Sequence, residues 1–447
     1  MSTRLFGTDG IRGEPGKYPL DDLTLHALGR ALGEHVSLIA PRGQVLLGMD
    51  TRESGQHIAD RLISGLSMMG VSCAFAGVLT TPGVACLVRQ RGFAAGVVIS
   101  ASHNPYTDNG VKLFAKTGMK LADAVEAAIE KRLLELRDYE ATHRRIKLQP
   151  DPALDEEYLA FLRTCLLPGA KLAGQRIVLD CANGAASALA PALFRSLGAD
   201  VIAINDQPDG RNINVNCGSL HPEAMQTKVR ESGAALGVAF DGDADRAIFA
   251  TSSGALVNGD GVLLAMARHM KSQGTLKAAR VVGTTMANLG LEKALAAESI
   301  ALTREPVGDR YVLEGMIRDG ANLGGEQSGH IIFLEDAPTG DGILTAVKMA
   351  SLIALRGPLD SLIAGLKIYP QTILNVRVRE KKPLESIPEV AAALAAAERA
   401  LDGSGRIVLR YSGTEPLARI MVEAEHASDV EKYSQSIAAA IRQALGS

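Results

Sequence analysis

Short runs of Val, Ile and Leu alternate along this chain with Ala/Leu-rich stretches whose apolar residues recur at helical spacing. Unbroken apolar runs read as strands buried on both faces, and the helical stretches between them as covering layers. The pattern predicts an α/β protein with parallel sheets. One order then recurs three times. An apolar strand runs into a small or polar turn (VLLGMDTR from Val45, RIVLDCANG from Arg176, VVGTTMAN from Val281), and a helix-like segment follows. Further on comes a strand-like run that ends in a loop rich in Gly, Ser, Asp or Glu: ISASHNP (99–105), FDGDADR (240–246) and GGEQSGH (324–330). A common order with variable spacing predicts three related α/β units.

The rest of the chain differs in kind. TILNVRVRE alternates apolar and polar, as a half-exposed strand does. After a helix near 384–401, GRIVLRYSGTEPLARIMVEAE reads as two strands around a loop, and a terminal helix runs from about Asp429 to Leu445. This fourth unit is expected to be α+β with an antiparallel sheet. LQPDPALD (148–155), with two prolines, reads as a linker, and further breaks fall near Ser252–Gly254 and at KIYPQ (367–371). The expected domains are therefore 1–150, 151–253, 254–368 and 369–447.

Composition narrows the partners. With 47 Lys+Arg against 50 Asp+Glu, the net charge of -3 gives no electrostatic reason to expect nucleic acid or an anionic membrane. No apolar stretch is long enough to span a bilayer; even Ile343 to Leu355 is broken by Lys348. Five cysteines without a C-x-x-C pair fit neither a disulfide framework nor a zinc site, and MSTRLFGTDGIRG lacks a signal-peptide core. A cytoplasmic protein with a small-molecule partner is expected.

Ligands of parallel α/β sheets bind outside the carboxyl ends of the strands, which is where the three loops should lie. In SASHNP, Pro105 and the nearby Asn, Asp and Gly residues set a sharp loop that presents Ser102, either as a turn serine or as the carrier of a phosphate. In DGDADR, Asp241, Asp243 and Asp245 repel one another unless a cation balances them, and oxygen ligands suit Mg²⁺. A solvated acidic turn is the plainer alternative. An EF-hand is excluded, since its sixth and twelfth positions are Arg246 and Ser252. Arg246 itself suits a phosphate. GGEQSGH offers Glu326, Ser328 and His330 to sugar hydroxyls, or is simply a turn. RYSGTEP (410–416) brings together Arg410, Ser412, Gly413 and Thr414, a cradle for a phosphate dianion, with Arg419 as a second donor or a surface charge.

No Walker loop, dinucleotide fingerprint or nucleophile elbow with a triad is found, and the absence of Trp leaves phosphate to anchor a sugar ligand. One account joins the parts: phosphorylated Ser102 on Mg²⁺ donates to a hydroxyl of a sugar phosphate whose other end sits in the cradle. A metal-dependent phosphatase and a catalytically silent sugar-phosphate binder are the competing classes. Keeping Ser102 together with three aspartates speaks against the last.

With these four motifs in this order, the chain resembles the α-D-phosphohexomutases over nearly its whole length. The resemblance implies three related mixed or parallel-sheet α/β domains and a smaller C-terminal α+β domain around one central cleft. It implies Ser102 as the phosphoserine and Asp241, Asp243 and Asp245 as Mg²⁺ ligands, with the serine phosphate as a further ligand. Arg12, Lys112 and Arg246 match basic residues around the transferring phosphate, and Lys112 and His330 the acid/base candidates. Glu326 and Ser328 match the sugar contacts, and Arg410, Ser412, Gly413 and Thr414 the distal phosphate site. FGTDGIRG, PDGRNIN (208–214), VGDRYV (307–312) and Gln327 are most similar to the bacterial branch acting on glucosamine 6-phosphate and glucosamine 1-phosphate, which feeds UDP-N-acetylglucosamine synthesis. The phosphomannomutase/phosphoglucomutase branch is the alternative. A sugar 1,6-bisphosphate would act as primer and a hexosamine phosphate as partner, with a homodimer left open. A fourth domain hinged near Pro370 would let a bisphosphate turn end for end.

Overall fold

A computed structural model describes residues 4–7, 9–137, 148–412 and 416–446. By internal packing the chain divides into two units, Met1–Thr284 with Glu305–Ala364, and Thr285–Arg304 with Gly365–Ser447.

The first unit holds three sheets on one plan. Gln44–Met49 runs parallel to Ala95–Ile99, with Val45 opposite Ala95 and Met49 opposite Ile99, and Asn109–Ala115 then returns antiparallel beside it. Arg176–Asp180, Leu236–Phe240 and Ala247–Ala250 repeat the arrangement. Arg280–Thr284, Leu323–Gly325 and Ile331–Phe333 repeat it again. The sequence repeat is thus a repeat of strand order, and the sheets are mixed because the last strand of each trio turns back. Side chains from both faces supply the cores; Val45, Leu47, Val97 and Ile99 pack in one cluster with Leu25, Leu28 and Leu62 of two covering helices.

Two expected breaks fall inside elements. Pro152 occupies the first turn of the helix Pro152–Thr164, where a missing N–H costs nothing, and Asp151 caps it by accepting from the Ala153 N–H at 3.1 Å. The prolines of LQPDPALD therefore start a helix as well as end a strand region. Ser252–Gly254 turns a hairpin, since Leu256–Val257 pairs back onto Phe249 and Ala250 in the second sheet.

Asp341 caps the helix Gly342–Arg356 through the Leu344 N–H at 2.9 Å and accepts from the hydroxyl of the buried Tyr158 at 2.8 Å. Burial raises the Asp341 pKa to about 6, against the pull of these bonds. Tyr158→Phe leaves a buried carboxylate oxygen short of a donor. It should cost about 1.5–3 kcal/mol in urea unfolding, as for other hydrogen bonds to charged groups.

In the second unit, Gln371–Arg377 and Gly405–Tyr411 flank Leu417–Ala424 in an antiparallel sheet, backed by the helices Pro388–Leu401 and Ala427–Leu445. The α+β reading of this part holds. The segment Thr285–Arg304 belongs here because Arg406 donates to the carbonyls of Thr285 and Ala287 at 2.7 and 2.6 Å, and the buried Glu423 accepts from the Leu289 N–H at 3.0 Å. Asn288 also bonds the Tyr369 N–H and C=O, both at 3.0 Å. KIYPQ is thereby fastened within this unit, so Pro370 is not a free joint.

Candidate active site

The loops after Ile99, Phe240 and Gly325 all leave carboxyl ends of strands in the first unit, and the structure brings them together. Ser102 is buried with φ of +52°, and its Oγ donates to Asp241 Oδ2 at 2.6 Å. His103 Nδ1 lies 3.3 Å from the same Oγ and 3.2 Å from Arg246 Nη1. Burial, then Arg246 and Arg12, hold the His103 pKa down to about 4, so this ring is neutral. Gly242 permits the approach of the two loops: a Cβ there would sit 2.6 Å from the Ser102 carbonyl oxygen.

Asp241, Asp243 and Asp245 are buried, and their ligand oxygens lie within 4.8 Å of one another. Oδ1 of Asp243 and of Asp245 has no hydrogen-bond partner. Burial, then Asp245 and Asp243, push the Asp241 pKa far above the carboxylate range. Three buried carboxylates with orphaned oxygens and only oxygen donors fit a hard divalent cation such as Mg²⁺.

Basic groups surround this cluster. Lys112, fully buried, donates to Asp243 Oδ2 at 2.8 Å and pairs with Asp9 Oδ2 at 3.1 Å. Burial would lower its pKa, yet Asp243 and Asp9 drive it upward, so it is a cation. Arg12 bonds Asp9 and donates to the Ala101 carbonyl at 2.9 Å, and Lys120 bridges Asp9 and Asp309 at 2.6 and 2.7 Å. Arg246 donates its N–H to Asp241 Oδ1 at 3.1 Å.

The GGEQSGH loop closes tightly, the Gly329 N–H donating to the Glu326 carbonyl at 3.0 Å and the Glu326 N–H to the His330 carbonyl at 2.9 Å. Glu326 Oε1 accepts from the Gly308 N–H at 3.1 Å, whereas Ser328 is exposed. His330 is buried, with Nδ1 3.5 Å from Asp245 Oδ2 and Nε2 accepting the Gly340 N–H at 3.0 Å. Burial alone would lower its pKa, but uncompensated Asp245 outweighs it and raises it to about 9. A cation on Asp245 removes that pull, and the neutral ring then matches the Gly340 bond.

In the second unit Arg410 and Arg419 stand directly opposite each other on adjacent strands, with Asn375 opposite Arg419 on the other side. These three side chains help line a cavity of about 250 Å³. Like charges facing across strands are unfavourable unless an anion balances them. Ser412 is buried nearby; Gly413 and Thr414 lie outside the described residues.

Sequence reasoning passed over several residues that the geometry joins to this site. Thr81 donates its hydroxyl to Asp243 Oδ2 at 2.6 Å, Asn214 donates to the Ser102 carbonyl at 2.9 Å, and Asp9 and Lys120 extend the charge chain. Asn214 ends the PDGRNIN motif, a signal visible in the sequence, while Thr81 carries none.

Comparison with known proteins gives one consistent result. Four sequence families match in order: phosphoglucomutase/phosphomannomutase α/β/α domain I at residues 3–140, domain II at 156–254, domain III at 258–369 and the C-terminal domain at 373–440. A phosphoglucosamine mutase of Solibacter usitatus is 52% identical over 447 residues, covering 100% of both chains. One from Deinococcus radiodurans is 46% identical over 444 residues, covering 98% of each. A crystal structure of a phosphoglucomutase/phosphomannomutase family protein from Burkholderia thailandensis shares the fold with a TM-score of 0.79 at 24% identity, over 98% of this chain and 97% of that one. An N-acetylphosphoglucosamine mutase from Aspergillus fumigatus, solved with GlcNAc-6P and magnesium, gives a TM-score of 0.64 at 20% identity, over 98% and 96% of the two chains. With all four domains in order and full-length relatives of this similarity, the chain belongs to the phosphoglucomutase/phosphomannomutase family.

Proposed function

We propose that this protein is an isomerase that interconverts glucosamine 6-phosphate and glucosamine 1-phosphate, with Ser102 carrying the phosphoryl group that is exchanged. The observation that carries the reading is the placement of Ser102 Oγ 2.6 Å from Asp241, beside two further aspartates with unpartnered oxygens. The choice of amino sugar rests on the full-length relatives named phosphoglucosamine mutase.

Asp241, Asp243 and Asp245 would hold Mg²⁺, which when bound supplies positive charge for the phosphoryl oxygens. Phospho-Ser102 gives its phosphoryl group to the free O1 or O6 of the sugar phosphate. The bond from phosphorus to serine Oγ breaks, a bond to the sugar oxygen forms, and the hydroxyl proton leaves to a base. The resulting glucosamine 1,6-bisphosphate turns, its other phosphate meets Ser102, and the serine is rephosphorylated. Little covalent chemistry is asked of the protein, so positioning and charge supply most of the rate. Arg12, Lys112 and Arg246 offset the phosphate's charge, with Lys112 as a counter-ion rather than a base in its ion-paired state. His330, with both ring nitrogens engaged, orients Asp245. Glu326 and Ser328 read the sugar, and Arg410, Ser412, Gly413, Thr414 and Arg419 hold the distal phosphate. The four domains take the boundaries 1–150, 151–253, 254–368 and 369–447. Among the described residues no helix is long and apolar enough to cross a membrane, which agrees with soluble sugar phosphates met in the cytoplasm.

A phosphorus NMR time course with Mg²⁺ and a trace of sugar 1,6-bisphosphate tests this, run in parallel on glucosamine, glucose and mannose 6-phosphates. Glucosamine 1-phosphate should form fastest. Faster conversion of glucose or mannose 6-phosphate would move the protein to the other branch of its family. Inorganic phosphate appearing ahead of any isomer would make it a phosphatase.

A further inference from the structure

Arg52 follows the first parallel strand, in the VLLGMDTR run, and the transfer described above does not use it. Its side chain is 0% exposed, as is that of its partner Asp50. The guanidinium has five N–H donors, and each finds an acceptor. Nε donates to Asp50 Oδ2 at 2.8 Å. Nη1 donates to the carbonyls of Pro105 and, at 3.0 Å, Asp108. Nη2 donates to those of Ser102 and Asn104, both at 2.9 Å. Four of the five bonds thus go to the backbone of the serine loop.

The other side of the same peptide is held through Asp50. Its Oδ2 accepts from Ser100 Oγ at 2.7 Å, and Ser100 Oγ in turn accepts the Ser102 N–H at 2.9 Å. Asn214 adds donors to the Ser102 and Asn104 carbonyls at 2.9 and 3.1 Å. Ser102 sits in the left-handed region, which a residue with a Cβ keeps only where its surroundings fix it. The strand order explains the meeting: Gln44–Met49 and Ala95–Ile99 are adjacent and parallel, so the turns after them leave the same edge side by side.

We propose that Arg52, steadied by Asp50, is a positioning residue for the phosphoserine. By holding the carbonyl fork from Ser102 to Asp108 it sets the direction of the Ser102 Cα–Cβ bond, and so aims the phosphoryl group at the incoming hydroxyl. The proposal rests on Ser102 being the phosphoryl carrier. Lysine cannot replace arginine here, because a single ammonium with three donors does not span five acceptors.

Three measurements on the full chain with Mg²⁺ decide the matter. Intact mass after incubation with sugar 1,6-bisphosphate reports phosphate uptake; failure of the parent protein to take it up on Ser102 sinks the carrier reading itself. With the parent phosphorylated, Arg52→Lys should lower kcat about 100-fold, the cost of a misaimed group, while KM for the sugar phosphate stays within about threefold. The phosphoserine resonance in phosphorus NMR should shift and broaden in Arg52→Lys, which a purely stabilising role would not cause. Arg52→Ala, where it folds, should regain kcat with added millimolar guanidinium and not with methylammonium. A folded, phosphorylated Arg52→Lys protein with kcat within about threefold of the parent overturns the proposal. So does an unaltered phosphoserine resonance.

Discussion

Ser102→Ala should reduce mutase turnover by at least about 10⁴-fold while the protein remains folded, the scale seen when a covalent catalyst loses its nucleophile. The loop does not depend on the hydroxyl for its shape. Arg52 and Asn214 hold the Ser102 carbonyl, and Ser100 holds its N–H, so the alanine backbone stays where the serine stood. The bond lost is the one from Oγ to Asp241 Oδ2. Leaving that buried acceptor unpaired costs about 1–3 kcal/mol, and a cation on the three aspartates would offset it. Phosphorus NMR on the variant, with intact mass to read phosphate uptake, separates the outcomes. An alanine protein that still carries phosphate after treatment with sugar 1,6-bisphosphate, or keeps a hundredth of the parental turnover, would falsify the role of Ser102.

Much of this was legible from the chain because it follows from local chemistry. The apolar runs had only one way to be buried, between helices, and their threefold order appears as three sheets with the same strand arrangement. Asp241, Asp243 and Asp245 follow a buried strand at alternate positions, and the only relief for such charges is a cation, so their convergence was readable from spacing. What spacing could not show is long-range pairing. Arg52 was visible only as part of a repeated strand end; its partners are 50 to 56 residues away and meet it because two strands are neighbours in the sheet. Thr81 reaches Asp243 across 162 residues and looks in sequence like an ordinary helix start. Prolines misled in one place: Pro152 opens a helix, because a first-turn position needs no N–H. The fastening of Tyr369 by Asn288 likewise left no local mark, so the segment around Pro370 read as a joint.

Removing divalent cations should make the protein less stable as pH rises, and Mg²⁺ should abolish that dependence. In the metal-free protein burial, with Asp245 and Asp243, keeps a proton on Asp241 that the unfolded chain gives up near pH 4. The folded state then binds more protons than the unfolded one, and stability must fall with rising pH across that window. His330 acts in the same direction. Its pKa, raised to about 9 by Asp245 against burial, contributes stability below the ordinary histidine range that is lost as pH climbs toward 9. Asp245 has its pKa lowered by His330 and Lys112 in spite of burial, so its own contribution is complete above the ordinary carboxylate range and flat from there on. Asp341, raised to about 6 by burial, adds a falling slope below that pH whether or not a metal is present. Only the gap between curves with Mg²⁺ and with chelator therefore reports the aspartate cluster. That gap should widen from pH 5.5 to pH 8.5, because the cation replaces the proton on Asp241 and cancels the pull on His330. At a free Mg²⁺ concentration about 100-fold above Kd it should reach about 2.7 kcal/mol, readable as a shift in Tm. Asp241→Asn removes one of the repelling charges. It should stabilise the metal-free protein at pH 8.5 while shrinking the Mg²⁺ gap. Parallel melting curves for the parent at both pH values, with equal gaps, would mean that the three aspartates are not where the metal binds.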